Sequence, residues 1–493
     1  MKLQQHFADR DIIELRVIAQ NQGLLIENGS TEGGFARELA QRMLEPEHVR
    51  EVWEDISPQA RQTLAALMQD DKGMPMLAFE RRFGELRRIG AGRLQTEQPW
   101  KNPTGPGEEL WWLGWILRSF RDVNGEMIEF VSIPQDLRPL LPLERHATPA
   151  PPLPHSVAPP DSPRELGQML LDDLGVLLAY VYSHPVRLRG DGRWRYQDLQ
   201  TLTPRLRLTT IRKQPLERGG PLHLLFTVAK SLGLIEARKG RQKFGKALRP
   251  WLELNRAEQM ATLFRAWREE EEDWNDLCLT PGLHCQGGAW SNQPRLAREA
   301  LLGQLGRVQP EAWYDLDDFI AMIYEFMPDF QRPDANYDTW YIQNNAGDFL
   351  RGFEHWPAVE GALIRYIWRG PLFWLGAVAL DGKGHRWRLT RQGQAFLRDD
   401  APADSPQGPV LHIDKTFIIT LAPHISLWDH LRVALFTFWQ SSEPAYRYQI
   451  TQRGLKRAKK RGVSARRVLD FLDRASHGQI PSNVRQALER FGS

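Results

Sequence analysis

Four groups of residues have types and spacings suited to chemistry, and none closes into a catalytic constellation. Gly240-Arg-Gln-Lys-Phe-Gly245-Lys246-Ala247 nearly matches a loop that cradles nucleotide phosphates. Its lysine is followed by Ala247, where a Ser or Thr hydroxyl would have to reach Mg²⁺. Cys278 and Cys285, with His284 beside the second, bring two thiols and an imidazole close together. A structural zinc site takes four ligands in paired spacings, and no second pair exists, so buried or loop thiols without a metal are expected. His412, His424 and His430 lack the His-Glu-x-x-His spacing of a helical metal pair. Asp315, Asp317 and Asp318 precede Phe319, Ile320 and Ile323. They read as the charged first turn of a helix, where carboxylates favour the dipole. No Gly-x-Ser-x-Gly elbow occurs. The expectation is a protein with no catalytic residues, no cofactor and no metal.

The basic residues carry the strongest signal. Although the net charge is only +3, basic residues dominate 187–218, 238–249 and 453–467, while 269–276 is acidic. If 451–461 is helical, Arg453, Arg457 and Arg461 share one stripe and Lys456 and Lys460 an adjacent one, and Lys459 adds a further basic residue. Like charges four residues apart cost a helix a few tenths of a kcal/mol per pair, a cost that polyphosphate would screen. After Gly462, Ser464 is placed to cap a second helix bearing Arg466 and Arg467, with Leu469 and Leu472 facing inward. A second basic group is Arg238, Lys239, Arg241, Lys243 and Lys246, and a third is Arg386 with Arg388. Such faces suit a duplex backbone; the alternatives are a solvated face or one that meets an acidic protein. Most of the eighteen tryptophans read as packing, with base stacking open for a few.

The elements that must position these groups repeat along the chain. Three apolar stretches end in Leu-Gly, at Leu113-Gly114, Leu232-Gly233 and Leu375-Gly376. Each is followed by an apolar pair and by Asn124-Gly125, Lys239-Gly240 or Asp381-Gly382. Glycine in the left-handed region ends a helix, and the second glycine pair closes a hairpin. Helix, glycine and hairpin form the C-terminal half of a winged helix. The spacing of the copies is too wide for a solenoid, so three winged-helix domains are expected. Upstream of the second copy, Arg187–Arg189, a Gly190-Asp-Gly192 turn and 194–208 read as a strand followed by a helix-turn-helix half.

With 493 residues the chain exceeds a single core. Proline-rich 146–163 and the shorter 400–408 read as linkers. The expected order is a helical and winged-helix domain over 1–145, winged helices over 164–270 and 271–399 with a seam near 270–294, and a small α/β domain over 409–493. The fold class is α+β, mainly α with short hairpins. Ser57 with Pro58 starts one helix, and 426–439 reads as another. No apolar run is long enough for a membrane span, no signal peptide is evident, and two cysteines in so long a chain fit a reducing, cytoplasmic setting.

The last fifth of the chain carries a more specific pattern. It runs as a strand pair over 410–421, an apolar helix, Tyr446-Arg-Tyr-Gln-Ile-Thr451, Leu455-Lys-Arg-Ala458, Gly462, Leu469, Leu472, Ser476 and Ile480-Pro-Ser-Asn-Val484-Arg. This resembles the bacterial domain related to the N-terminal domain of XPB-family helicases, found in helicase-associated proteins, where winged-helix units precede it. The resemblance implies DNA handling beside a separate helicase, in repair or transcription, because this chain carries no intact P-loop or DEAH-type box. The expected partners are therefore DNA and a helicase or other protein, with no membrane; the competing reading is a protein-interaction scaffold that does not touch DNA.

Overall fold

The computed structural model describes residues 1–26, 32–123, 125–143, 151–208, 218–288, 290–400 and 408–492. The chain divides into two compact units, Met1–Pro152 with Asp329–Thr339, and Leu153–Pro328 with Trp340–Ser493. Helices dominate, and every sheet is small and antiparallel, which is the expected α+β class. No described helix is long and apolar enough to cross a membrane.

The repeat has a common topology. The first copy runs through helix Pro58–Met68, strand Met74–Pro75, helices Met76–Phe83 and Pro106–Trp112, and hairpin Leu117–Val123 with Glu126–Ser132. The second runs through Met169–Ser183, an extended segment at 186–188, Tyr196–Leu202, Pro221–Ser231, and Ile235–Arg238 with Arg241–Phe244. The third runs through Pro294–Leu305, Trp313–Asp315, Leu316–Phe326, Trp356–Ile367, and Val378–Leu380 with Arg386–Leu389. In all three the early strand pairs with the second hairpin strand: Met74 opposite Val131, Arg187 opposite Arg241, and Trp313 opposite Arg388.

The helix ends are also the same. Gly114, Gly233 and Gly376 have φ of 72°, 65° and 70°. The next residue's N–H reaches back to the helix carbonyl five residues earlier: Trp115 to Leu110 at 3.0 Å, Leu234 to Ala229 at 2.9 Å, and Ala377 to Leu372 at 2.9 Å. This is the bonding that a left-handed glycine permits. Ser57 caps its helix through Ala60 N, and Asp315 caps another through Asp317 N.

Several expectations change. The second half of the proline-rich 146–163 is not a free spacer, because Ser156–Val157 adds an edge strand against Trp313 and Tyr314; 144–150 lie outside the described residues, as do 401–407 of the second linker. The acidic stretch, at the expected seam, is held firmly in place. Wholly buried Arg298 ties it down through Asp276 at 2.6 Å and the carbonyls of Arg268, Glu270 and Trp274. Cys278 and Cys285 form a disulfide rather than free thiols, which removes that support for a reducing compartment. The apolar helix of the last domain stops at Phe436, and Thr437–Ser441 is a strand, as β-branched and aromatic Thr437, Phe438 and Trp439 favour.

In the last domain the strand order is Leu411–Ile413, Ile418–Leu421, Arg447–Ile450, Thr437–Ser441. Helix Leu427–Phe436 packs on Met169–Ser183 of the second repeat. That latter helix is apolar on all sides because it is surrounded. Its exceptions, Asp172 and Asp173, are satisfied. Asp172 takes Arg256 at 2.6 Å. Asp173 accepts from the N–H groups of Arg207 and Leu208 and from the Tyr446 hydroxyl.

Two buried groups in this contact titrate in opposite senses. Burial pushes Asp173 up to about 7, against its hydrogen bonds. Burial, helped by Arg256, pushes His430 down to about 3. The stability tied to neutral Asp173 is complete below its unfolded pKa and lost as pH rises through 7. The stability tied to neutral His430 is lost as pH falls from 6.5 towards 3. Between pH 4 and 6.5 the slopes oppose, each on the order of 1.4 kcal/mol per pH unit. His430→Gln removes one of them. Urea unfolding should show the variant gaining about 3 kcal/mol relative to wild type from pH 6.5 to 4; parallel pH profiles would refute the assignment.

Candidate nucleic-acid interface

Two of the three basic groups stand on one connected part of the second unit. Thr451 caps helix Gln452–Lys460, with its hydroxyl accepting from Gly454 N. Gly454 is required there, because a Cβ would lie 2.1 Å from the Phe436 carbonyl oxygen. Gly462, at φ 80°, turns the chain into helix Ala465–Ala475, which Ser464 caps through Arg467 N at 3.3 Å. Val468, Phe471 and Leu472 face inward, while Leu469 is only half-buried. Arg453, Lys456, Lys459, Lys460, Arg461, Arg466 and Arg467 are all exposed. Among the described residues, none of the seven has a carboxylate partner.

Arg457 behaves differently from its neighbours. It is half-buried, and its guanidinium donates to the carbonyls of Ala434, Leu435 and Thr437 at 2.8, 3.0 and 2.7 Å. These are the free carbonyls at the end of helix Leu427–Phe436, which a cation satisfies well. Burial, then Arg461 and Arg453, hold its pKa below the ordinary arginine value. The stripe read from the sequence therefore splits into exposed charges and one anchor.

The second group lies on the hairpin Ile235–Arg238 and Arg241–Phe244, joined by Lys239 at φ 52° and Gly240 at φ 68°. This is the pair of left-handed residues that a two-residue hairpin turn demands. Arg238, Lys239, Arg241, Lys243 and Lys246 are exposed. The near-match to a phosphate loop thus falls on a hairpin strand. Register adds a feature invisible in the sequence. Arg241 is opposite Arg238 on one side and Arg187 on the other, which sets three guanidinium groups abreast on one face. Like charges directly opposite destabilise a sheet, and Glu236, the hairpin's one carboxylate, makes no ion pair with Lys243 opposite it.

Tyr182 connects the two groups. Its ring stacks on Phe244 of the hairpin at 5.9 Å and 14°, and Arg461 lies over it at 4.4 Å. Tyr182 does not stand out in the sequence, since it ends an apolar helix; Arg187 is legible there only as part of a basic strand, because its partner Arg241 lies far along the chain. The third group does not join them. Arg388 is paired with Glu165 at 2.6 Å and with Glu311. Arg386 donates to the Ala158 carbonyl. Both serve their own sheet.

The helix preceding the basic hairpin, Pro221–Ser231, is almost wholly buried. It packs on Arg256–Glu269 and Met169–Ser183, and its exposed Lys230 is held by Asp273 at 2.5 Å. It has no face free to enter a groove. No family model matches the chain, and no curated protein matches it.

Proposed function

We propose that this protein is a non-catalytic DNA-binding adaptor that grips the phosphate backbone without reading bases. The observation that carries this reading is the set of seven exposed cations on the two C-terminal helices, without a carboxylate partner among the described residues and joined through Tyr182 to the three-arginine row of the hairpin. Within the reading, the repeated units are winged helices, with the basic hairpin as a wing. Their shared strand pairing and helix ends support that. The buried third helix argues against the usual helix-in-groove docking and for backbone contact alone. The tail's resemblance to the XPB-family N-terminal domain supports a place beside a separate helicase, in repair or transcription.

The test is fluorescence anisotropy with duplex, forked and single-stranded DNA across a salt series. Two different duplex sequences should bind equally, with log K falling against log salt at a slope near −6 if all seven cations meet phosphates. Absence of binding to every DNA form at low salt refutes the reading and leaves the protein-docking scaffold.

A further inference from the structure

A small cavity of about 70 Å³ opens where helix Met169–Ser183 meets the last domain's sheet. Tyr180, His184, Arg205, Trp439 and Arg457 line it, and among the described residues no carboxylate does. Arg205 uses its Nε on the Thr201 carbonyl at 3.1 Å, and its two terminal nitrogens have no partner among the described residues. Its guanidinium lies 5.2 Å from the Tyr180 ring centre and 5.4 Å from that of Trp439. Arg457 spends Nε and Nη2 on carbonyls, leaving Nη1. His184 stacks on Tyr180 at 4.2 Å and 11°. Its Nδ1 is engaged by Ser183 Oγ and the Tyr180 carbonyl, leaving Nε2. Unused N–H groups of two arginines, Arg205 and Arg457, thus border one recess, and the Asp198 carboxylate accepts from the Tyr180 hydroxyl of its wall at 2.9 Å. Burial and then Arg205 hold the His184 pKa below the ordinary histidine value, with Arg457 adding to the effect.

Partly buried cations without a counterion are costly, and a ligand carrying negative charge relieves that cost. Water's share of liquid volume is about 30 Å³, so the space suits one tetrahedral oxyanion rather than a nucleoside. The aromatic walls favour an end group over a chain running through. Arg457 belongs to the same helix as exposed Arg453, Lys456 and Lys460, so a backbone lying on that helix can deliver its terminus here. We propose that this cavity receives the terminal phosphate monoester of a nucleic-acid strand, held by Arg205 and Arg457 against the His184 and Tyr180 rings. The inference rests on the DNA-binding reading above.

The test compares wild type, Arg205→Gln and Arg205→Lys against short DNA strands bearing a 5′-phosphate, a 3′-phosphate or hydroxyls at both ends. Charge-assisted hydrogen bonds to a dianion should favour one phosphorylated end by about tenfold. Arg205→Gln should lose that preference while binding the hydroxyl strand as wild type does, which also shows that it folds. Arg205→Lys should keep part of the preference. Equal wild-type binding of all three strands overturns the inference and leaves the DNA-binding reading standing; no binding to any strand overturns both. A preference that survives Arg205→Gln overturns the placement in this cavity. Thymidine 5′-monophosphate that erases the preference at the strand's own concentration shows a free nucleotide to be the ligand and overturns the strand end.

Discussion

Replacing Arg453, Lys456, Lys459, Lys460, Arg461, Arg466 and Arg467 with neutral polar residues should lower duplex DNA affinity at 50 mM salt on the order of 10³-fold. The wild type should lose about 10³–10⁵-fold between 50 and 200 mM salt if it makes six to ten phosphate contacts, because each contact releases condensed counterions. The variant should bind weakly, with only the shallower salt dependence that the untouched three-arginine row supplies. Thermal unfolding should be unchanged or slightly improved, since the seven side chains are exposed and their mutual repulsion disappears. Arg457 must be left in place. Its guanidinium holds three carbonyls at the end of helix Leu427–Phe436, so Arg457→Gln should weaken binding by unseating the basic helix and should lower the melting temperature. A seven-site variant that keeps the wild-type salt slope would show that the C-terminal helices do not touch phosphate.

What was legible in the sequence was what local geometry decides. The three Leu-Gly helix ends follow from a residue that tolerates positive φ, and all three adopt it. The Lys239-Gly240 turn, the Ser57 and Ser464 caps and the acidic start at Asp315 are likewise settled within a few residues. What escaped was set by partners distant in the chain. Arg388 looks as free as Arg238 until Glu165 and Glu311 are seen beside it. The arginine row needs the pairing of 187 with 241, and helical spacing alone cannot distinguish Arg457 from its neighbours. The near-complete burial of helix Pro221–Ser231 was not legible either. Its apolar composition fits burial on one face or on all, and its packing against Arg256–Glu269 and Met169–Ser183, with the acidic segment beside Lys230, decides which.

That acidic segment owes its position to one side chain. Arg298 is fully buried. It meets Asp276 at 2.6 Å, the Trp274 carbonyl at 2.7 Å, and the carbonyls of Arg268 and Glu270. Asp276 is nearly as deep, and its other oxygen accepts from the indole N–H groups of Trp274 at 2.8 Å and Trp267 at 3.3 Å. Arg298→Met fills similar space but strands a buried carboxylate and three carbonyls, a change that should cost about 3–5 kcal/mol, a large part of a typical stability of about 5–15 kcal/mol. The urea midpoint, followed by the fluorescence of buried Trp267 and Trp274, reports the loss. Adding Asp276→Asn removes the stranded charge and should recover about 1–2 kcal/mol, since an unpaired buried ion costs more than an unpaired neutral group. Because Asp273, which holds Lys230, lies in the same segment, loosening Arg298 should also speed hydrogen exchange along Pro221–Ser231. A loss below 1 kcal/mol with unchanged exchange would mean that the apolar contacts of Trp267 and Trp274 suffice to hold the segment over that helix.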